Sequence, residues 1–218
     1  MAALRRNGNS LCGPVLTATP RSLIFSGVPG EGAGLQQVKG AVLKSRIAFV
    51  EDQFGKDAVQ QVLASLPPDD QRPLRLLFTS NWYPFELGKR LDDAIVRVVG
   101  QGRPDFFERL GAASAEKNLG SVHAGYLTPG DPQAFLAKAP QIYSVYYESG
   151  RREYTATAPN AGVLTTHDAE TFSAPDCLTV IGWYRKALEM CGAKNVSVTE
   201  EECRAEGGAV CRYRVGWE

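Results

Sequence analysis

The run from Cys177 to Cys211 constrains the fold more than any other stretch. It reads CLTVIGWYRKALEM and then CGAKNVSVTEEECRAEGGAVC. Cys177, Ile181, Tyr184, Leu188 and Cys191 fall at i, i+4, i+7, i+11 and i+14, so a helix puts them on one face. Gly192 is the expected helix stop. Val196, Val198 and Glu200 then share strand parity, which carries a carboxylate into a core-facing row, a costly place for it unless a positive partner meets it. Cys203 has the opposite parity. It can face the same point as Glu200 only if the strand bends or bulges near its end. Gly207-Gly208 lets the chain turn back, bringing Cys211 towards Cys203 and closing a terminal hairpin.

Four soft or anionic side chains, Cys177, Glu200, Cys203 and Cys211, can therefore meet where the helix opens and the hairpin turns. Thiolates with an occasional carboxylate suit a four-coordinate zinc ion. Free cysteine is also among the most buried residue types, and the same residues can pack as small hydrophobes. Spacing alone leaves both readings open; Cys191, on the core face of its helix, belongs to the second.

Upstream of that run the pattern is mostly helical. Residues 1–20 lack periodicity and read as a disordered tail, leaving 21–218 as a single domain. Leu23 to Val28 suggests a first strand and Pro29 to Gly34 a glycine-rich connector. Helices are expected from Leu35 to Gly55 and from Lys56 to Leu66, with Pro67-Pro68 as a stop and a short extended piece at 74–78. Pro84, Pro104 and Pro132 each sit where a helix should open. Ile142 to Tyr147 is aromatic and strand-like, and two strands flank Pro159-Asn160. The order gives an α+β fold: N-terminal helices, a mostly antiparallel sheet, a late helix and a C-terminal β-hairpin.

Lysine plus arginine and aspartate plus glutamate both count 24, so charge offers no case for nucleic acid or acidic lipid. No window holds the roughly eighteen apolar residues of a membrane span. Five cysteines without a secretory signal favour reduced thiols or a metal in the cytoplasm. His123 and His167 are the only histidines, and no nucleophile, base and oxyanion set assembles around them, which argues against an enzyme.

The pattern of a cysteine opening a helix, then Gly182-Trp183, then Glu200-x2-Cys203-x7-Cys211-x-Tyr213 resembles the C-terminal part of the 4-vinyl reductase domain. It is closest to the sensory domains of aromatic-responsive transcription activators, which hold a structural zinc with three cysteines and one glutamate. The resemblance implies zinc on Cys177, Glu200, Cys203 and Cys211. The chain also resembles a large paralogous family of myxobacteria that shares Trp82-Tyr83-Pro84-Phe85-Glu86-Leu87 and Ser173-Ala-Pro-Asp-Cys177.

Tyr147-x-Ser149-x-Arg151 is similar to the propionate-binding motif of the haem nitric-oxide-binding domains, which share a broad superfamily with the vinyl-reductase domains and the TRAPP transport subunits. His123 lies upstream, where that family carries its iron ligand. These resemblances imply a sensory domain for a small apolar or aromatic molecule, acting as a homodimer or through a signalling partner. The alternatives are a haem-based gas sensor and a TRAPP-like interaction module without a small ligand. Trp82, Tyr83, Phe106, Phe107, Tyr146 and Trp183 are the candidate pocket residues.

Overall fold

The structure, a computed structural model, describes residues 36–218. The sequence expectations for the tail, the strand at Leu23 to Val28 and the connector that follows lie outside the described residues. Strand β1 (Gln37–Lys39) pairs antiparallel with β2 (Trp82–Pro84), and between them run helices α1 (Gly40–Phe54), α2 (Lys56–Ala64) and α3 (Pro68–Arg75). Helices α4 (Phe85–Val98) and α5 (Asp105–Leu119) follow, then a 3-10 turn at Ala124–Tyr126, α6 (Pro132–Leu136) and α7 (Ala139–Tyr146). Strands β3 (Arg151–Ala158) and β4 (Ala161–His167) precede α8 (Ala174–Met190), and β5 (Ser197–Glu202) and β6 (Cys211–Gly216) close the chain.

The larger sheet has the order β3-β4-β6-β5 and is antiparallel throughout. One core lies under this sheet around α8, with Leu164, Tyr184, Leu188, Tyr213 and Val215 at its centre. A second core, built on Leu43, Leu91, Ile95 and Leu110, holds the N-terminal helices together. The mixed helical and antiparallel architecture is the α+β fold expected from the order of the elements.

Three local expectations need correction. Pro67-Pro68 does not stop a helix: Pro68 occupies the first turn of α3, with Asp69 and Asp70 beside it at the positive end of the helix dipole. The segment expected to be helical from Leu35 first forms β1, and the helix begins only at Gly40. Ile142 to Tyr147 is not a strand. Pro140 opens α7 there, and Ile142, Tyr143 and Tyr146 are buried on one helix face, so packing overrides the aromatic preference for strands.

Helices α5 and α8 cross at backbone contact. A Cβ added to Gly111 would lie 1.9 Å from the Thr179 carbonyl oxygen, and one added to Gly182 would lie 1.9 Å from that of Glu108. Each helix gives the other a glycine opposite a carbonyl, which fixes the height of α8 over α5.

Candidate functional site

Ser173 caps α8, its side chain accepting a hydrogen bond from the Asp176 amide at 3.1 Å, and Pro175 sits in the first turn. Cys177 is thereby presented at the start of the helix. Across from it, the parity conflict between Glu200 and Cys203 is resolved by a register shift: Glu200 pairs with Tyr213, whereas Glu202 pairs with Arg212. The extra residue, Glu201, turns outward to Arg214. The bulge lets Glu200 and Cys203 face the same point.

The ligand atoms of Cys177, Glu200, Cys203 and Cys211 all lie within 4.8 Å of one another. The Cys177 sulfur is 3.8 Å from that of Cys211 and 3.5 Å from that of Cys203. A tetrahedral centre with metal–sulfur bonds of about 2.3 Å has sulfur–sulfur edges of about 3.8 Å, so these separations suit a zinc-sized ion. They are far beyond a disulfide bond of about 2.05 Å. One oxygen of Glu200, Oε1, is buried with no hydrogen-bond partner, a costly state that a cation relieves. The Arg204 amide donates to the Cys211 sulfur at 3.4 Å. The Cys177 thiol, hydrogen-bonded to Cys211, holds the Cys211 thiol down at about 7, and the same contact together with burial drives Cys177 well above the usual thiol range. Cys191, also buried, sits at the far end of α8, about 21 Å along the axis from Cys177.

A second feature is a small cavity of about 40 Å³ enclosed by α1, α5, α7, β3 and α8. Tyr146 and Trp183 line it. The other four aromatic residues expected at a pocket lie elsewhere. Trp82 stacks under the Lys39 ammonium and Tyr83 accepts a hydrogen bond from the Phe78 amide, both at the small β1–β2 sheet. Phe106 and Phe107 fill the N-terminal core instead. Two cavity residues were not anticipated, Arg46 and Arg152. The signal for Arg152 was strand alternation: with Arg151 and Glu153 outward, Arg152 must point inward.

Of the haem-motif residues, Tyr147 donates through its hydroxyl to Asp176 Oδ1 at 3.0 Å, and Ser149 Oγ is buried without a partner. Arg151 is exposed and paired with Asp168 and Glu153. His123 Nδ1 is 2.7 Å from the Tyr146 hydroxyl. The three motif side chains do not converge on one space. An engineered cavity that admits benzene measures about 150 Å³, so a 40 Å³ space cannot take a porphyrin. The residues as arranged do not fit haem.

Residues 87–218, more than half of the chain, match the family described as Protein of unknown function (DUF2378). The chain belongs to that family. Among solved structures, this DUF2378 chain is similar to the Fe(II) unliganded H-NOX protein from K. algicida. The TM-score is 0.64 at 15% identity, over 83% of this chain and 96% of that one. The H-NOX protein from S. oneidensis in its Fe(II)NO ligation state gives a TM-score of 0.64 at 13% identity, over 83% and 99%. A third, described in terms of heme redox potential and porphyrin distortion, gives 0.60 at 14%, over 82% and 99%. No curated protein matches the chain. The DUF2378 chain thus has the fold of the haem-NO-binding side of its resemblance; the vinyl-reductase side rests on the sequence motif. No helix among the described residues is long and apolar enough to cross a membrane.

Proposed function

We propose that this chain is a non-enzymatic, ligand-sensing domain in which a structural zinc ion on Cys177, Glu200, Cys203 and Cys211 clamps α8 to the β5–β6 hairpin. The observation that carries this reading is the mutual approach of those four ligand atoms to within 4.8 Å. Four protein ligands leave no open coordination position, so the ion fastens two elements and activates no water. The ligand enters the cavity against α8. At about 40 Å³ the cavity is too small for an aromatic ring, so the ligand is smaller than the resemblance implied. Occupancy shifts the setting of α8, and the signal leaves through an interface with a second copy or a partner protein. Metal analysis of protein purified without added zinc is expected to find one zinc per chain, and none in a Cys203→Ser/Cys211→Ser variant. Equal metal content in both would refute the clamp.

The H-NOX neighbours favour a second reading, a haem-based gas sensor, through fold and through His123 and Tyr147-x-Ser149-x-Arg151. It requires Tyr146 and Trp183 to swing out of the cavity. Haem reconstitution tests it: a stoichiometric Soret band lost on His123→Ala supports the gas sensor, and a colourless protein removes it.

A further inference from the structure

Arg152 is a buried cation with no carboxylate of its own. It is 7% exposed, and among the described residues no carboxylate oxygen lies within 4.0 Å of its guanidinium. Its Nε donates to Thr166 at 2.9 Å and its Nη1 to the Tyr184 hydroxyl at 3.4 Å. Nη2 has no acceptor among the described residues. The rings of Tyr143, Tyr184 and Tyr213 surround the guanidinium at 4.9, 5.4 and 5.9 Å. The cavity lies against it.

The nearby charges are otherwise engaged. Arg46, the second cation in the cavity wall, is held by Asp92 at 3.1 Å and by the Leu110 carbonyl at 2.9 Å. Asp176 accepts from Tyr147. The hydroxyls of Tyr143, Tyr146 and Ser114 are bound to Ser149, His123 and Ser45. What remains free to face a ligand is the open side of a planar donor fork and the Tyr184 hydroxyl proton. A space of 40 Å³ has room for about three waters, or for one molecule of three or four heavy atoms.

We propose that this cavity binds a small planar oxyanion, of the formate, bicarbonate or nitrate class, on the open edge of Arg152 and the Tyr184 hydroxyl. A guanidinium fork matches two coplanar oxygens, and the aromatic walls exclude the water that would compete for them. The proposal rests on the sensory reading and names its ligand class. Arg152 also borders the space beside Cys177 and Cys211, so an anion seated there acts directly on the clamped end of α8.

The test titrates the full-length, zinc-loaded protein with sodium formate, bicarbonate or nitrate. Ionic strength is held with sodium gluconate, a carboxylate too large for the space. Thermal unfolding and tryptophan fluorescence, through Trp183, are followed. Saturable stabilisation by at least one small anion is expected, and the tightest of the three identifies the source. Arg152→Lys is expected to weaken it roughly ten- to a hundredfold. Because Arg152 variants can disturb the sheet, Val180→Leu is the second probe. It leaves Arg152 in place, fills the cavity and is expected to abolish saturation. Saturation that survives both variants places the anion elsewhere and overturns the proposal. No response in the wild type, together with loss of zinc in Arg152→Lys, makes Arg152 the counter-charge of the metal centre and also overturns it. No response with one zinc per chain intact removes the anion site alone, whereas no response and no zinc removes the sensory reading with it.

Discussion

The glycine crossing between α5 and α8 yields a prediction that can be worked through. Gly182→Ala places a methyl group 1.9 Å from the Glu108 carbonyl oxygen, and the obstacle is backbone, which no side-chain rotation can move. Restoring an ordinary contact of about 3.3 Å requires the helices to part by about 1.4 Å, which loosens the packing along their whole crossing. Overpacking a core costs about 1–3 kcal/mol, and a backbone obstacle puts this case at the top of that range; the better helix propensity of alanine returns up to about 1 kcal/mol. The net expectation is about 2 kcal/mol for Gly182→Ala, and the same for Gly111→Ala against Thr179. One parting of the helices relieves both clashes. The double variant should therefore lose only about 2–3 kcal/mol, well short of the sum. Urea unfolding followed by far-UV circular dichroism measures all three, with Gly125→Ala as a control because nothing lies within 4 Å of its added Cβ. Neutral single variants, or strictly additive losses, would refute the reasoning.

Three further outcomes follow from the structure. Asp92→Ala leaves the Arg46 guanidinium buried without its carboxylate and is expected to cost about 3–5 kcal/mol in the same urea assay. Burial raises the Asp176 carboxyl to about 6, so the folded state binds the proton more tightly than the unfolded chain. Stability contributed by this group is full below about pH 4 and falls by up to about 2 kcal/mol as pH rises to about 6. Subtracting the curve of Asp176→Asn from that of the wild type should isolate this slope. Chelation at neutral pH should lower the thermal midpoint of the wild type and of Cys191→Ala, whose sulfur is remote from the cluster, but leave Cys203→Ser unchanged.

The terminal third of the fold was legible because its signals are local. Cys177 to Cys191 repeat at helical spacing, Pro159-Asn160 marks a hairpin turn, and the parity of Glu200 against Cys203 demands an irregular strand; a bulge stands there. The strand reading of Ile142 to Tyr147 came from composition, and a helix opened by Pro140 and packed on its tyrosines took precedence. The cavity was not legible. Its wall draws Arg46, Ser114, Tyr146, Arg152 and Trp183 from five elements, and no spacing along the chain encodes their meeting. The motif around Tyr147 drew attention to Arg151, which is exposed, while its neighbour Arg152 is the buried arginine.

The loop joining β5 to β6 holds its shape through contacts that need no ion. The Glu202 carboxylate receives the amides of Ala209 and Val210 at 2.9 and 3.3 Å, and its other oxygen meets Arg212 at 2.9 Å. Cys203 and Cys211 are therefore brought together by the ribbon itself. Little chain entropy is left to lose when zinc arrives, so its binding energy goes into retention instead of into folding. Such a centre should load rapidly, release its ion slowly, and leave the rest of the domain standing when stripped. That sets it apart from the small zinc modules that collapse without their metal.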